Sequence, residues 1–288
     1  MSYFLHILTL FSIYLPVVAS FNLNLGFRGI FNFATTAFFG LGAYTALIFL
    51  ISGFSLIQTF FIVGFVSVVL AMFLSKVTIR LSNDSLALVL FITLLVLQNI
   101  VTNWKNLTGG SFGLSIFSLS YQSADLDYFI QNMNWLSMIY CVMVLTLFVI
   151  ISKSKIGLIW LSARDNLKLS KSLGQKWESA RALNIIFAGI FTSFAGVFYV
   201  FYVGYIDPSL FGLNLLILII SMTVLGGLES WKGVIIGTLI LSILPELLRF
   251  LPILSIEIAP FRNILYGIVL LTCLICKPYG LFGKFKVG

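Results

Sequence analysis

Apolar residues run along this chain in long unbroken stretches, parted by short polar breaks. Nine stretches qualify or nearly qualify as membrane-crossing helices: roughly 3–25, 30–51, 56–75, 86–102, 133–151, 183–205, 211–228, 233–251 and 261–276. A helix needs about 20 mostly apolar residues to cross the hydrocarbon core. The runs are continuous rather than alternating, which favours helices over barrel strands, and an open sheet cannot satisfy its backbone in lipid. The fourth, seventh and ninth runs are short for a full span. The first has no Lys or Arg ahead of it, and its apolar stretch is too long for a signal peptide, so it reads as a retained helix. The expectation is an all-α, polytopic membrane helix bundle, one transmembrane domain over 1–288 with about nine crossings.

Composition sharpens this. Of 288 residues, 60% are hydrophobic and 9% charged, where a soluble domain carries about 25% charged residues. An ordinary globular enzyme, a disordered tail and a nucleic-acid binder are excluded. Cys141, Cys273 and Cys276 all lie inside apolar runs. No disulfide framework is suggested, and the Cys-x-x-Cys spacing of the last two reads as packing rather than metal.

The net charge of +8 is explained by topology. The polar segment 152–181 holds Lys153, Lys155, Arg164, Lys168, Lys171 and Lys176, so it should be cytoplasmic. Counting outward through nine crossings puts the N-terminus outside and the C-terminus inside. Arg28, Lys76, Arg80, Arg181, Lys232, Lys277, Lys284 and Lys286 then also lie inside, and only Lys105, Arg249 and Arg262 lie outside. One crossing more or fewer before Ser152 reverses the N-terminus.

Two segments are too polar to be mere connectors. The outer loop 103–132 contains Thr108-Gly109-Gly110-Ser111-Phe112-Gly113. No Lys-Ser or Lys-Thr follows, so it is not a phosphate-binding P-loop; a flexible turn and a gate or docking surface both remain. In the inner loop, residues 157–174 can form a short helix placing Arg164, Lys168 and Lys171 along one side. Trp160, Leu161 and Leu167 are available for apolar contact. A helix resting on anionic lipid and a helix docking into a cytoplasmic partner are both consistent with this.

The membrane interior is almost free of charge. Asp84, Asp207, Glu229, Glu246, Arg249 and Glu257 all sit near helix ends, Glu246 and Arg249 at a spacing that allows pairing, and Arg28 at an inner end where it can snorkel. His6 is the one histidine and reads as an interfacial residue. No catalytic triad, carboxylate pair or metal cluster can be assembled, so this is no enzyme. An ion-coupled carrier usually keeps titratable groups in its helices, and their scarcity here argues against one. The interior instead carries neutral amides and hydroxyls, Asn22, Asn24, Asn32, Thr35, Thr36, Gln98 and Asn99, among clustered glycines. These serve as helix–helix glue or line a path for a weakly held solute, candidates being Asn22, Asn32, Thr35, Thr36, Gln98 and Asn99. A passage with no coupling charges needs energy from a partner.

Several motifs in order are recognisable. Ala37-Phe38-Phe39-Gly40-Leu41-Gly42-Ala43-Tyr44, the outer Asn103-Trp104 to Gly113 segment, Ser154-Lys155-Ile156-Gly157 through Arg164-Asp165-Asn166 to Gly174, Val224-Leu225-Gly226-Gly227-Leu228-Glu229-Ser230-Trp231-Lys232-Gly233 with Leu244-Pro245-Glu246-Leu247-Leu248-Arg249, and Lys277-Pro278-Tyr279-Gly280-Leu281-Phe282-Gly283 together resemble the branched-chain amino acid permease subunits of bacterial ABC importers. Two places depart from the family pattern. Ala34 and Thr35 stand where Gly-His is common, and Leu167-Lys168-Leu169-Ser170 where Glu and an Ala-Ala pair often follow.

The resemblance implies a multi-pass permease of the bacterial inner membrane for branched-chain amino acids; related permeases move urea, amides, other amino acids or nucleosides. It implies a second homologous permease, two cytoplasmic ATP-binding subunits and an extracytoplasmic solute-binding protein as partners, with membrane lipid around them and no nucleic acid. ATP and Mg would be bound by the ATPases and no cofactor or metal by this chain. Gly157, Arg164, Asp165, Asn166, Lys168 and Gly174 would form the loop that couples to an ATPase.

Overall fold

A computed structural model describes residues 2–79, 81–116, 123–249, 258–277 and 279–283. It is a helix bundle. Helix α1 (Ser2–Asn22) continues through a π-helical turn, Leu23–Phe27, and is followed by α2 (Ala34–Ile51), α3 (Leu56–Thr78) and α4 (Asn83–Asn103). After a short helix α5 (Lys105–Thr108) come α6 (Ser123–Lys153), two short helices α7 (Lys155–Asp165) and α8 (Leu167–Ser172), and the long α9 (Trp177–Val203). The chain closes with α10 (Leu213–Gly226), α11 (Trp231–Arg249) and α12 (Ile258–Cys276).

Six helices are long and apolar enough to cross a membrane: Leu5–Phe27, Ala34–Ile51, Leu56–Thr78, Asn83–Asn103, Asn132–Lys153 and Trp177–Val203. The fourth of these is longer than its apolar run, because Ser82 caps it by accepting the amide proton of Ser85 at 3.3 Å and so starts it before Leu86. The last three expected crossings appear as shorter apolar helices among the described residues, Leu213–Gly226, Trp231–Pro245 and Ile264–Cys273. The side chains of Glu246, Arg249 and Arg262, and residues Arg80, Glu257, Pro278, Lys284 and Lys286, lie outside the described part.

The most buried helices are α1, α2 and α9, with α3, α4 and α12 turning large apolar side chains outward. Helix α9 packs chiefly on α2 and α3. Two reciprocal glycines set the α2–α9 crossing: a Cβ on Gly42 would overlap the Ser193 carbonyl, and one on Gly196 the Phe39 carbonyl. Only small residues allow backbones this close. Neutral polar side chains then join the helices. Ser193 Oγ donates to the Phe38 carbonyl at 3.0 Å, Asn184 Nδ2 to the Leu23 carbonyl at 3.2 Å, and Tyr140 OH to the Phe191 carbonyl at 2.6 Å. Cys273 packs with its thiol 3.8 Å from the Val224 carbonyl, and His6 bonds the Tyr202 hydroxyl.

The Gly-rich outer segment is an ordered turn. Strand β1 (Leu114–Ser115) pairs antiparallel with β2 (Tyr205–Ile206), just after α9. Gly113 has φ +71 and lies so close to the Ile206 carbonyl that no side chain fits, a position only glycine fills easily.

Candidate functional site

The inner loop forms two helices rather than one. Asn166 adopts an extended conformation, φ −155 and ψ 98, ending α7, and its side chain caps α8 by accepting the Leu169 amide proton at 3.1 Å. This break corrects the expected continuous basic face: Arg164 and Lys168 no longer sit one turn apart on one helix. Gln175 holds the pair together, its Oε1 accepting from Ser162 Oγ at 2.8 Å and Ser170 Oγ at 2.7 Å. Trp160 is fully buried and donates from Nε1 to the Ala180 carbonyl at 2.6 Å, so it roots α7 on α9 and is not available to a partner. Gly157 is wedged against the carbonyls of Ile151 and Ser152, where a side chain would force α7 off the end of α6.

Arg164 is the root of this loop. Its Nη1 donates both to the Gly26 carbonyl and to Glu229 Oε1. Its Nε and Nη2 contact Asp165 Oδ1 at 3.2 and 3.1 Å. The Arg164 and Glu229 side chains are only 11% and 13% exposed. Glu229 is the one described non-glycine residue at positive φ, +61, a conformation costing about 1–2 kcal/mol. Asn22 offsets it, accepting the Glu229 amide proton at 3.1 Å while donating from Nδ2 to the Gly227 carbonyl at 3.1 Å. The glycines of this turn admit the C-terminal segment: Leu281 and Phe282 donate their amide protons to the carbonyls of Leu225 and Gly226 at 2.9 and 3.0 Å. Five elements thus meet at one corner: α1 with its π-turn, α7, the end of α10, the α10–α11 turn and residues 279–283.

What remains exposed on the loop is its tip. Asp165, Asn166 and Lys168 face outward, with Leu158, Leu169 and Leu173 each about 60% exposed or more. Gly174 ends α8 at φ +70 with open space where a side chain would point. Lys171 is turned aside, its Nζ 4.3 Å above the Trp177 ring.

The polar interior residues fall into two separate groups. Asn22, Asn32, Thr35 and Thr36 are fully buried near the inner corner. Asn22 is the staple just described, and Thr35 Oγ1 bonds the Asn32 carbonyl at 2.7 Å. Gln98 sits instead at the far end of α4, donating to the Pro208 carbonyl at 3.0 Å. Asn99 is exposed on α4 and bonds its own helix at Leu95. A further feature carries no charge and so gave no polar signal: a cavity of about 330 Å³ between α1, α2 and α9–α12, lined by Tyr14, Phe39, Tyr199, Asn214, Met222 and Tyr266 among others.

The family described as "Branched-chain amino acid transport system / permease component" matches residues 3–274. The chain belongs to this permease family. The permease is 24% identical to the high-affinity branched-chain amino acid transport system permease protein LivM of Escherichia coli (strain K12), over 96% of this chain and 69% of the relative. It is likewise 24% identical to LivH of Salmonella typhimurium (strain LT2), over 97% of this chain and 94% of the relative. No solved structure matches. The Arg164–Glu229 contact therefore joins two segments already noted for their family resemblance, 154–174 and 224–233.

Proposed function

We propose that this permease is one of two related membrane subunits of an ATP-binding cassette importer, carrying branched-chain, aliphatic amino acids inward across the inner membrane. Two cytoplasmic ATPases hold the nucleotide and its magnesium, and an extracytoplasmic binding protein delivers the solute. The N-terminus lies outside and the C-terminus inside, following the basic residues. The observation that carries this reading is the α7–α8 tip, where Lys168, Leu169 and Leu173 are exposed on a loop rooted through Arg164. A basic, apolar tip on a rigid root suits a helix seated in a partner's groove. Asp165, Asn166 and the αL turn at Gly174 shape that tip, while Gly157 sets its angle. The uncharged 330 Å³ cavity sets Leu215, Leu218 and Phe39 beside the polar groups of Ser209, Asn214 and Ser242, a mixed lining that suits a small amino acid with an aliphatic side chain, and Asn32, Thr35 and Thr36 stand at the inner end of the path, with Gln98 and Asn99 toward the outer end.

Affinity purification of the tagged chain from its own membranes tests the assembly. Recovery of a second permease with two ATPases supports it. Recovery of this chain alone, with gradient-driven leucine uptake after reconstitution, would mean a secondary carrier.

A further inference from the structure

Two arginines at the inner corner have no part in the Arg164 network. Arg28 directly follows the π-turn and is 4% exposed; Arg181 lies in the second turn of α9 and is 2% exposed. Burying an uncompensated charge is costly, yet among the described residues neither makes an ion pair, and Glu178 on the same helix as Arg181 is exposed.

Arg181 is held in a defined pose. Its Nη1 donates to the carbonyls of Leu81 at 3.0 Å and Ile79 at 3.4 Å, just past the C-terminus of α3. Its Nε and Nη2 are buried and have no partner among the described residues. Those two nitrogens form the edge with which a guanidinium grips two oxygens of an oxyanion. Arg28 leaves Nε and Nη1 in the same condition. Asn32, on the loop after Arg28, is fully buried with neither amide atom bonded. Arg28 is pushed down to about 9, by burial first and by the charge of Arg181 second. It still carries its charge at neutral pH, so the corner holds two like charges with several unused donors.

We propose that Arg28 and Arg181 form an anion site that takes a phosphate group, either the phosphodiester of an anionic inner-leaflet lipid or free phosphate. The depth fits a headgroup: one apolar span ends at Phe27 and another begins at Trp177, so both arginines stand at helix ends where anionic lipids attract basic residues. The oxygens of a phosphate group are arranged tetrahedrally and so can meet two guanidinium groups that approach in different planes, whereas the acceptor sites of a carboxylate lie in one plane.

The test uses the full chain, with the subunits that co-purify, in nanodiscs of phosphatidylcholine. Phosphatidylglycerol is added to one set and millimolar inorganic phosphate to another. Anionic lipid should raise the melting temperature by about 2–4 °C, and native mass spectrometry should find phosphatidylglycerol retained. A shift with inorganic phosphate alone identifies free phosphate as the ligand. Either shift should vanish in Arg28→Gln, and in Arg181→Lys, which keeps the charge but loses the fork. Equal shifts in wild type and both variants, or none with either anion, overturn the site. Loss of ATPase co-purification in Arg28→Gln, with no response of wild type to either anion, would also overturn it, because an acidic side chain of the partner would then be the occupant.

Discussion

The side chain of Asn22 accepts the amide proton of Glu229 at 3.1 Å across 207 positions of sequence. This bond holds Glu229 in its left-handed conformation and aims its carboxylate at Arg164. The end of α1, the α10–α11 turn and the α7–α8 loop are thus fastened at one point. Force applied to α7 reaches the end of α1 directly through the Gly26 carbonyl and the α10–α11 turn through Glu229.

Removing the carboxylate should cost more than a surface ion pair. Glu229→Ala removes the buried partner of Arg164 and leaves it only the exposed Asp165 carboxylate and the Gly26 carbonyl, which should destabilise the chain by about 3 kcal/mol. Thermal unfolding in detergent measures it. A loss near zero would mean that Arg164 is satisfied by Asp165 and the Gly26 carbonyl alone.

Asn22 acts through both ends of its amide. Asn22→Leu strands the Gly227 carbonyl and the Glu229 amide, at about 1–3 kcal/mol for each buried group. Asn22→Asp keeps the acceptor for Glu229 but loses the donor to Gly227 and buries a carboxylate against that carbonyl, so it should lower the melting temperature at least as much as Asn22→Leu.

At the loop tip, charge and apolar contact should matter without affecting the fold. Lys168→Glu combined with Leu173→Asp should leave expression and melting temperature unchanged and abolish leucine uptake in reconstituted vesicles. Full uptake by that double variant would sink the docking role. Arg164→Glu is a poorer probe, since Arg164 is part of the internal network.

Orientation is checked by labelling. Lys277 is exposed just past α12. With the native cysteines replaced by serine, Lys277→Cys should react with a membrane-impermeant maleimide in inside-out vesicles and not in intact cells. Labelling of intact cells would reverse the topology.

Much of the bundle was legible because lipid imposes simple demands. Each apolar run became a helix, and of the neutral polar residues named from the sequence Asn22 and Gln98 bond other segments of the chain. The α7–α8 loop was legible only as a segment. Asn166 was a signal for a cap in the middle of the expected helix, since its short side chain competes for the backbone. Arg28 reads as a snorkelling residue by position, but tertiary packing buried it. Trp160 offered no clue to its direction, because a tryptophan suits either a core or a docking face. Glu229 in a left-handed turn was hidden for a different reason: the bond that stabilises it comes from the opposite end of the chain. The cavity was invisible because its lining comes from α1, α2 and α9–α12 together, and no single apolar run shows which of its faces meet.

The interlocked glycines of α2 and α9 restrict how the protein can open and close. With Gly42 seated on the Ser193 carbonyl and Gly196 on the Phe39 carbonyl, neither helix can slide along the other without backbone collision. The two helices should therefore move as one body during transport. The moving parts are therefore to be sought on the other side of the 330 Å³ cavity, in α10–α12, whose turn answers to Glu229. Crosslinks between α2 and α9 should leave transport intact, while crosslinks from α2 to α10 should arrest it.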